Sequence, residues 1–130
     1  WDKFFHNNYS YYEGLDLSKE ALKRLNHMAD KKTKFILTDM LDYSTNKTFD
    51  VIIFSESIGY PDDLEKLSLI INKFIGFLNP EGKLIVSQWN QSPNADKIWK
   101  ELDQRLILID EVSLINRFKL KSTIKVFDAP

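Results

Sequence analysis

The pattern of apolar and polar positions predicts strands and helices that alternate along the chain. Apolar runs typical of strands occur at residues 10–16, 34–38, 49–54, 83–87, 105–115 and 122–127. Apolar residues recur at helical spacing in three segments, at residues 18–29, 61–78 and 92–102. Helical connections predict that the first four strands are parallel, because crossovers between strands are right-handed. The connection at 116–121 is too short for a crossover, so the last two strands form an antiparallel hairpin.

The segment at residues 11–18, Tyr-Tyr-Glu-Gly-Leu-Asp-Leu-Ser, passes from a strand to a helix at a carboxylate. Gly14 allows the backbone or a ligand to come close, and Ser18 is a good N-cap for the helix. Asp16 ends the strand at the ligand edge of an α/β sheet, where a carboxylate can bind the two hydroxyls of a ribose. The alternative is that Asp16 only adds a second capping group to the helix.

Two later strands also end in polar residues. Asp39 follows the second strand directly, although a turn-forming aspartate gives the same pattern. The run at 49–54 is continuously apolar, which predicts a central parallel strand buried on both faces. It ends at Ser55 and Glu56, with Tyr60 close behind, and open α/β sheets place their sites at such strand ends. Alternatively, Ser55 and Glu56 only satisfy local backbone groups.

Two short segments complete the pattern. Residues 79–82, Asn-Pro-Glu-Gly, have the composition of a turn before the strand at 83–87. At the start of the chain, the spacing of Trp1, Phe4 and Phe5 suits the last turn of an amphipathic helix. We therefore expect a helix tail at residues 1–8, which leads into the first strand.

Composition narrows the classes of protein to consider. A length of 130 residues suits one domain over residues 1–130, and the net charge of −1 gives no electrostatic case for a nucleic-acid or membrane partner. The chain has no cysteine, so it has no disulfide framework and no thiolate metal site, and we expect no metal. No apolar run approaches the roughly 18 residues of a membrane span, and we expect a cytoplasmic protein.

Four motifs, in order, carry a family resemblance from about Tyr11 to the end of the chain. They are YYEGLDLSKEAL, FILTDMLDY, FDVIIFSESIGYPDD and LNPEGKLIVS, and a closing helix and hairpin follow them. In this order they resemble the class I S-adenosylmethionine-dependent methyltransferases, most closely the small-molecule enzymes of the nodulation and surface-saccharide type. The resemblance implies an α/β, Rossmann-like, doubly wound and mostly parallel sheet with a C-terminal antiparallel hairpin.

The resemblance also implies roles for individual residues in methyl transfer to a small molecule, such as a saccharide or another metabolite. Asp16 is similar to the acid that holds the ribose hydroxyls, and Leu17 to the residue that packs on the adenine. Asp39 resembles the acid that accepts from the adenine amino group, with Met40 beside it. The remaining candidates are Gly14 and Ser55 in the cofactor site, and Glu56 and Tyr60 as catalytic residues that orient the acceptor. Tyr60 stands where relatives often have histidine.

One family feature has no counterpart in the sequence. The Gly-x-Gly-x-Gly loop and the strand before it are missing, since the four glycines lie at positions 14, 59, 76 and 82. That loop lets the methionine part of the cofactor approach the backbone closely. We therefore expect an N-terminally incomplete methyltransferase domain without its first strand, which is either a fragment of a longer methyltransferase or a degenerate copy of one. By itself, the 130-residue chain should bind S-adenosylmethionine weakly or not at all.

Two other functions are also compatible with the sequence. A Rossmann-like nucleotide-binding oxidoreductase also places an acid after its second strand. A non-catalytic module for protein interaction would keep the fold and lose the cofactor. Exposed sheet edges would then pair with another chain, and the same edges are candidates for a homo-oligomer.

Overall fold

A computed structural model describes residues 8–59 and 63–128, and these form six strands and three helices. In chain order they are β1 Tyr12–Asp16, α1 Lys19–Leu25 with a 3₁₀ turn at Asn26–Met28, β2 Thr33–Leu37, β3 Phe49–Ser55, α2 Leu64–Ile75, β4 Leu78–Trp89, α3 Ala95–Asp103, β5 Ile107–Ile115 and β6 Lys121–Asp128. Most of the helix tail predicted for residues 1–8, and the candidate residue Tyr60, lie outside the described residues.

The chain divides into two compact units, Trp1–Ser44 and Thr45–Pro130. The first holds β1 and β2, which pair in parallel from Tyr12 opposite Thr33 to Asp16 opposite Leu37. Helix α1 follows β1, and its N-cap is Ser18, as predicted, because the Ser18 hydroxyl accepts from the Ala21 N–H at 3.2 Å. The single domain expected over residues 1–130 stays a prediction.

The second unit is a four-stranded sheet in the order β3-β4-β6-β5. β3 and β4 are parallel, while β6 pairs antiparallel with both β4 and β5. The predicted C-terminal hairpin is therefore confirmed. Together with the β1–β2 pair, this sheet confirms the predicted α/β class, with parallel strands followed by an antiparallel edge.

The core of the second unit lies between one face of the four-stranded sheet and helices α2 and α3. Strand residues on this face alternate with exposed or half-buried ones, as a half-covered sheet requires. The Phe54 and Phe74 rings meet edge to face, with centroids 5.1 Å apart. The most deeply buried side chains are Ile58, Ile70, Ile71, Leu84, Val86, Ile98, Leu102 and Phe127. This core fixes the carboxyl ends of β3 and β4.

The prediction that the strand at 49–54 is buried on both faces is wrong. Val51 is 48% exposed and Ile53 is 57% exposed, whereas Phe54 is buried. In the described part of the chain, β3 has a hydrogen-bonded neighbour on one side only, β4, and the helices cover the face that carries Phe54. An edge strand covered on one face keeps its alternate residues in solvent.

The predicted turn at 79–82 is instead an irregular part of β4. Phe49 pairs with Leu78 and Val51 with Lys83, so residues 79–82 form a bulge between two paired segments of one strand. Glu81 takes a positive φ of 68° there. The preceding helix is also shorter than the predicted 61–78, since the described α2 begins at Leu64 and ends at Ile75. Its N-cap is Asp63, whose carboxylate accepts from the Glu65 N–H at 2.9 Å.

Candidate functional site

The carboxyl end of β1 is built as predicted around Asp16. One carboxylate oxygen of Asp16, Oδ1, accepts from the Ser18 N–H at 2.8 Å, while Leu17 between them is 63% exposed. This bond supports α1, so the capping role is real. A carboxylate has lone pairs for further donors on both of its oxygens. The two roles proposed for Asp16 are therefore compatible.

Asp39 lies beside Asp16 at the end of the neighbouring strand. The Thr38 N–H donates to the Asp16 carbonyl oxygen at 3.2 Å, which continues the β1–β2 ladder past Leu37. Asp39 Oδ1 accepts from the Leu41 N–H at 2.7 Å, and this turn carries the half-buried Met40. Because β1 and β2 are parallel neighbours, both acids lie at the same sheet edge. Their binding of a nucleoside stays a prediction.

Gly14 lies against an aromatic ring in the interior of the β1–β2 pair. A Cβ added to Gly14 would lie 2.9 Å from the Phe35 Cδ1 atom and 3.1 Å from the Tyr12 Cε1 atom. The close approach that this glycine permits is therefore to side chains of its own unit. A ligand contact at Gly14 remains a prediction.

Glu13 has no role in the sequence analysis, but in the structure it binds two tyrosines. Its carboxylate accepts hydrogen bonds from the hydroxyls of Tyr11 and Tyr43. Burial, followed by the hydrogen bond to Glu13 and the charge of Glu13, raises the pKa of Tyr11 to about 12. Tyr43 is itself buried, so this cluster links the loop after Asp39 to β1.

Ser55 and Glu56 meet β4 at the carboxyl end of β3. Ser55 pairs with Ser87, and the Glu56 N–H donates to the Ser87 carbonyl at 3.1 Å. Glu56 has a positive φ of 52°, and its carboxylate accepts from the Trp89 N–H at 2.7 Å. Glu56 therefore ties the ends of β3 and β4 together, and its predicted catalytic role would use an already oriented carboxylate.

Gln88 and Asn90, at the end of β4, have no role in the sequence analysis. Gln88 is 4% exposed, and a Cβ added to Gly59, in the loop after β3, would lie 3.4 Å from its amide oxygen and nitrogen. Within residues 8–59 and 63–128, Gln88 Oε1 and Asn90 Oδ1 are buried oxygens that have no hydrogen-bond partner. Alternation with the buried Leu84 and Val86 is the signal that would have placed Gln88 inside.

Three other observations limit the chemistry of the described residues. They contain no cluster of three or more side chains able to hold a metal ion. Their helices are all too short or too polar to cross a membrane. An open depression of about 410 Å³ lies on α2, and the residues that line it are Leu64, Glu65, Ser68, Leu69 and Asn72.

Residues 6–121 match a family model described as a methyltransferase domain. The chain belongs to this family. The predicted resemblance to S-adenosylmethionine-dependent methyltransferases is thereby confirmed, and the match favours methyl transfer over the oxidoreductase alternative.

Individual relatives are more distant. Nodulation protein S of Sinorhizobium fredii strain NBRC 101917 / NGR234 is 20% identical over 124 residues, which cover 82% of this chain and 55% of the relative. Phosphoethanolamine N-methyltransferase 2 of Caenorhabditis elegans is 29% identical over 109 residues, covering 78% of this chain and 24% of the relative. The chain spans about half the length of this nodulation protein and of nodulation protein S of Rhizobium tropici.

A solved structure confirms the fold. The N-methyltransferase NodS from Bradyrhizobium japonicum WM9 superposes with a TM-score of 0.83 at 19% identity, over 92% of this chain and 74% of NodS. NodS has also been solved in complex with S-adenosyl-L-homocysteine. This likeness confirms the predicted Rossmann-like architecture, of which the chain forms a part.

The residues at the β1–β2 edge fit the adenosine part of the family's cofactor. Ribose hydroxyls and the adenine amino group are hydrogen-bond donors, and Asp16 and Asp39 offer carboxylate acceptors on neighbouring strands. Leu17 presents an exposed apolar side chain beside the first acid. The donor set of S-adenosylmethionine and the acceptors of this edge are therefore complementary.

Proposed function

We propose that this chain carries the adenosine-binding edge and part of the acceptor side of an S-adenosylmethionine-dependent methyltransferase acting on a small molecule. The observation that carries the proposal is the pair of carboxylates at the ends of the parallel neighbours β1 and β2. Membership of the methyltransferase family supports it. The acceptor class, a saccharide or another metabolite, is the one that the family resemblance in the sequence implies.

In this proposal each residue binds or orients a group. Asp16 accepts from the ribose hydroxyls, Leu17 packs on the adenine, and Asp39, with Met40 beside it, accepts from the adenine amino group. Gly14 and Ser55 complete the cofactor-side candidates, and Glu56 and Tyr60 orient the acceptor. The cofactor supplies a methyl group that is already activated on a sulfonium, so the protein contributes mainly position and proximity.

Calorimetry with S-adenosylhomocysteine on the full-length protein tests the adenosine site. In the Asp16→Asn variant the oxygen that accepts from Ser18 is kept and the negative charge is lost. Hydrogen bonds to charged groups contribute about 1.5–3 kcal/mol. We therefore expect the affinity to fall roughly ten- to hundredfold, at about 1.4 kcal/mol per tenfold change.

Asp30→Asn is the matched control. Asp30 Oδ1 accepts from the N–H two residues later, that of Lys32, at 2.9 Å, as Asp16 and Asp39 do with their own neighbours. However, Asp30 precedes β2 and so lies at the other end of the strand. Equal affinities for Asp16→Asn and Asp30→Asn would contradict the proposed site.

We also propose a homo-oligomer that pairs through β5, because one feature of this strand favours it. β5 is an edge strand, and every one of its residues is exposed. Six of them are large and apolar, namely Ile107, Leu108, Ile109, Val112, Leu114 and Ile115. An exposed, apolar edge strand is a template for pairing with another chain. A monomeric mass by light scattering, unchanged in Leu114→Lys, would contradict this proposal.

A further inference from the structure

The turn between β5 and β6 carries an exposed mixture of basic and apolar side chains. We call residues 115–121, Ile-Asn-Arg-Phe-Lys-Leu-Lys, the hairpin tip. Every residue of the tip is exposed, and Ile115 and Phe118 are 69% and 67% exposed. Large apolar side chains that gather at the surface mark a site for a protein partner or a membrane. The hairpin tip is therefore a candidate interaction surface of the second unit.

Positive charge is concentrated in the same segment. Residues 112–127 contain four basic residues and no acidic one, although the whole chain has a net charge of −1. Lys125 is buried and its ammonium is ion-paired, so it adds little to the surface. Arg117, Lys119 and Lys121 are exposed, and none of the three forms an ion pair with another described residue. The tip thus presents three cations that the net charge of the chain conceals.

The backbone of the tip is hydrogen-bonded within the turn. Asn116 Oδ1 accepts from the N–H groups of Phe118, at 2.9 Å, and Leu120, at 3.0 Å. The Lys119 N–H donates to the Asn116 carbonyl oxygen at 2.9 Å, and the Asn116 N–H donates to the Leu120 carbonyl oxygen at 3.0 Å. Three successive N–H groups of the tip therefore have partners that do not depend on water. A segment that enters the water-poor boundary of a lipid layer needs such internal partners.

This hydrogen bonding distinguishes the tip from the edge of β5. An edge strand pairs with another chain through its free N–H and carbonyl groups. At residues 118–120 the N–H groups are already occupied, so the tip offers side chains to a partner. The tip is therefore a surface of a different kind from the strand edge that precedes it.

The side chains of the tip suit an anionic lipid surface. Interfacial segments combine Lys and Arg with Phe and Leu, because the apolar groups enter the acyl boundary while the cations stay with anionic headgroups. The tip alternates these two types from Arg117 to Lys121. The Arg117 guanidinium lies 4.7 Å from the centroid of the Phe118 ring, so a cation and a large apolar group share one place. A nucleic-acid backbone would match the cations but not the apolar side chain of Leu120.

We propose that the hairpin tip docks on a membrane surface rich in anionic phospholipid. In this arrangement Phe118 and Leu120 lie at the boundary between headgroups and acyl chains. Arg117, Lys119 and Lys121 contact the headgroup phosphates. The contact is peripheral and needs no membrane-spanning helix. It is independent of the proposed methyl transfer, so either proposal can fail without the other.

The position of the tip gives docking a consequence for the strand ends of the second unit. Trp89 pairs with Ser122, and the Asn90 N–H donates to the Lys121 carbonyl oxygen at 3.0 Å, so the tip extends from the carboxyl end of β4. Glu56 accepts from the Trp89 N–H at this same strand end. A docked tip therefore brings the end of β4 and Glu56 close to the lipid surface.

Vesicle flotation of the full-length protein tests the docking. We expect the protein to float with vesicles of equal parts phosphatidylglycerol and phosphatidylcholine, and to stay in solution with vesicles of phosphatidylcholine alone. Each basic residue near an anionic surface strengthens binding about fivefold. The triple variant Arg117→Gln, Lys119→Gln, Lys121→Gln should therefore bind the anionic vesicles about a hundredfold more weakly than the parent protein.

The matched control removes the same charge from α1, where Lys19, Lys23 and Arg24 are also exposed. With all three replaced by glutamine, the protein should bind the anionic vesicles like the parent. Equal losses in the two triple variants would overturn the proposal, because attraction would then depend on total charge. It would also be overturned if the parent stayed in solution with anionic vesicles, or if it bound single-stranded RNA and no vesicles.

A fluorescent label reports whether the tip enters the lipid layer. The chain has no cysteine, so one introduced cysteine can carry a polarity-sensitive fluorophore at a single place. In Phe118→Cys the attached fluorophore replaces the apolar ring, and its emission should shift to the blue with anionic vesicles. In Leu69→Cys, at a 60% exposed position of α2, the emission should not shift. No shift at position 118, or equal shifts at both positions, would contradict docking through the tip.

Discussion

The two units of the chain each hold a pair of parallel strands, but they position the strand ends in different ways. In the first unit, α1 buries none of its residues, and the described residues that are buried are Thr33 and Tyr43. Hydrogen bonds within short turns and the tyrosine–Glu13 cluster hold this unit's strand ends. In the second unit, helices α2 and α3 pack on the sheet and bury most of the core.

This difference suggests a division of roles. The acids proposed to bind adenosine are fixed by local hydrogen bonds that survive small shifts of the strands. The end of β4 depends instead on a packed core, since Gln88 lies in the same buried row as Leu84 and Val86. Substitutions in the second unit should therefore affect stability more than equivalent substitutions in the first.

The largest effect is expected in the core of the second unit. Phe127 has no exposed surface, and replacing it by alanine should lower the free energy of unfolding by about 3–5 kcal/mol, the usual cost of such a cavity. Urea unfolding of the full-length protein measures this change. Leu69→Ala, at an exposed position of α2, should change stability by less than about 0.5 kcal/mol. Similar losses in both variants would disprove the packing assigned to this unit.

A smaller effect is expected from adding one methyl group in each unit. At Gly82 an added Cβ would lie 2.8 Å from the Asn79 carbonyl oxygen, so the backbone of the bulge must move. Gly82→Ala should therefore cost about 1–3 kcal/mol, as overpacking usually does. At Gly14 the nearest atom belongs to the ring of the half-buried Phe35, which has room to adjust.

Gly14→Ala should accordingly cost less than Gly82→Ala when both are measured by thermal unfolding. A reversed order would mean that the β1–β2 pair is packed more rigidly than the bulge of β4. The first unit would then not be the less tightly packed of the two.

The same contrast separates the features of the fold that local sequence predicts from those that depend on tertiary packing. Periodicity predicts the strands, the helices and the hairpin. The positions of Ser18 and Asp16 at a strand–helix junction predict that both residues cap α1. The bulge at 79–82 was missed because Pro80 and Gly82 are turn residues, and the pairing on both sides of them depends on β3. Exposure of Val51 and Ile53 depends on what lies next to β3, which an apolar run does not reveal.

The candidate site was predictable only where chain position determines it. Asp16 and Asp39 each follow a strand, and parallel pairing brings them to one edge. Gln88 and Asn90 carry no motif, and their side-chain oxygens lack a hydrogen-bond partner among residues 8–59 and 63–128. Such an absence arises from tertiary packing, so sequence periodicity could place Gln88 on the buried face but could not show that its oxygen lacks a partner.

A pH-dependent effect is expected where α2 meets α3. Hydrogen bonds from Ser68 and Arg105 lower the pKa of the Glu101 carboxyl below its ordinary value. A lowered pKa stabilises the fold above the ordinary glutamate value, near 4.5, and this contribution is lost as the pH falls through the folded-state value. Ser68→Ala removes the strongest of these contacts, so the pKa of Glu101 should rise.

Carboxyl NMR titration measures this change directly. Ser113→Ala, on the distant β5, should leave the Glu101 titration unchanged. The drop in unfolding free energy between neutral and strongly acidic pH should also be smaller in Ser68→Ala than in the parent protein. An unchanged Glu101 titration in Ser68→Ala would show that this hydrogen bond is not formed in solution.

The smallest effect is expected at the Glu13 cluster of the first unit, where Tyr11 has a pKa of about 12. A raised pKa stabilises the fold below the ordinary tyrosine value, near 10, and the contribution is lost as the pH rises through about 12. Glu13→Gln keeps a hydrogen-bond partner for Tyr11 but removes the negative charge that opposes ionisation. The pKa of Tyr11 should therefore fall only part of the way towards 10, because burial is the larger cause. Ultraviolet titration of tyrosinate measures this change, because Tyr11 should ionise in a separate late phase near pH 12. The Tyr11→Phe variant should lose this late phase, and the control variant Tyr12→Phe should retain it. If the late phase persists in Tyr11→Phe, it belongs to another tyrosine, and the hydrogen bond between Tyr11 and Glu13 is contradicted.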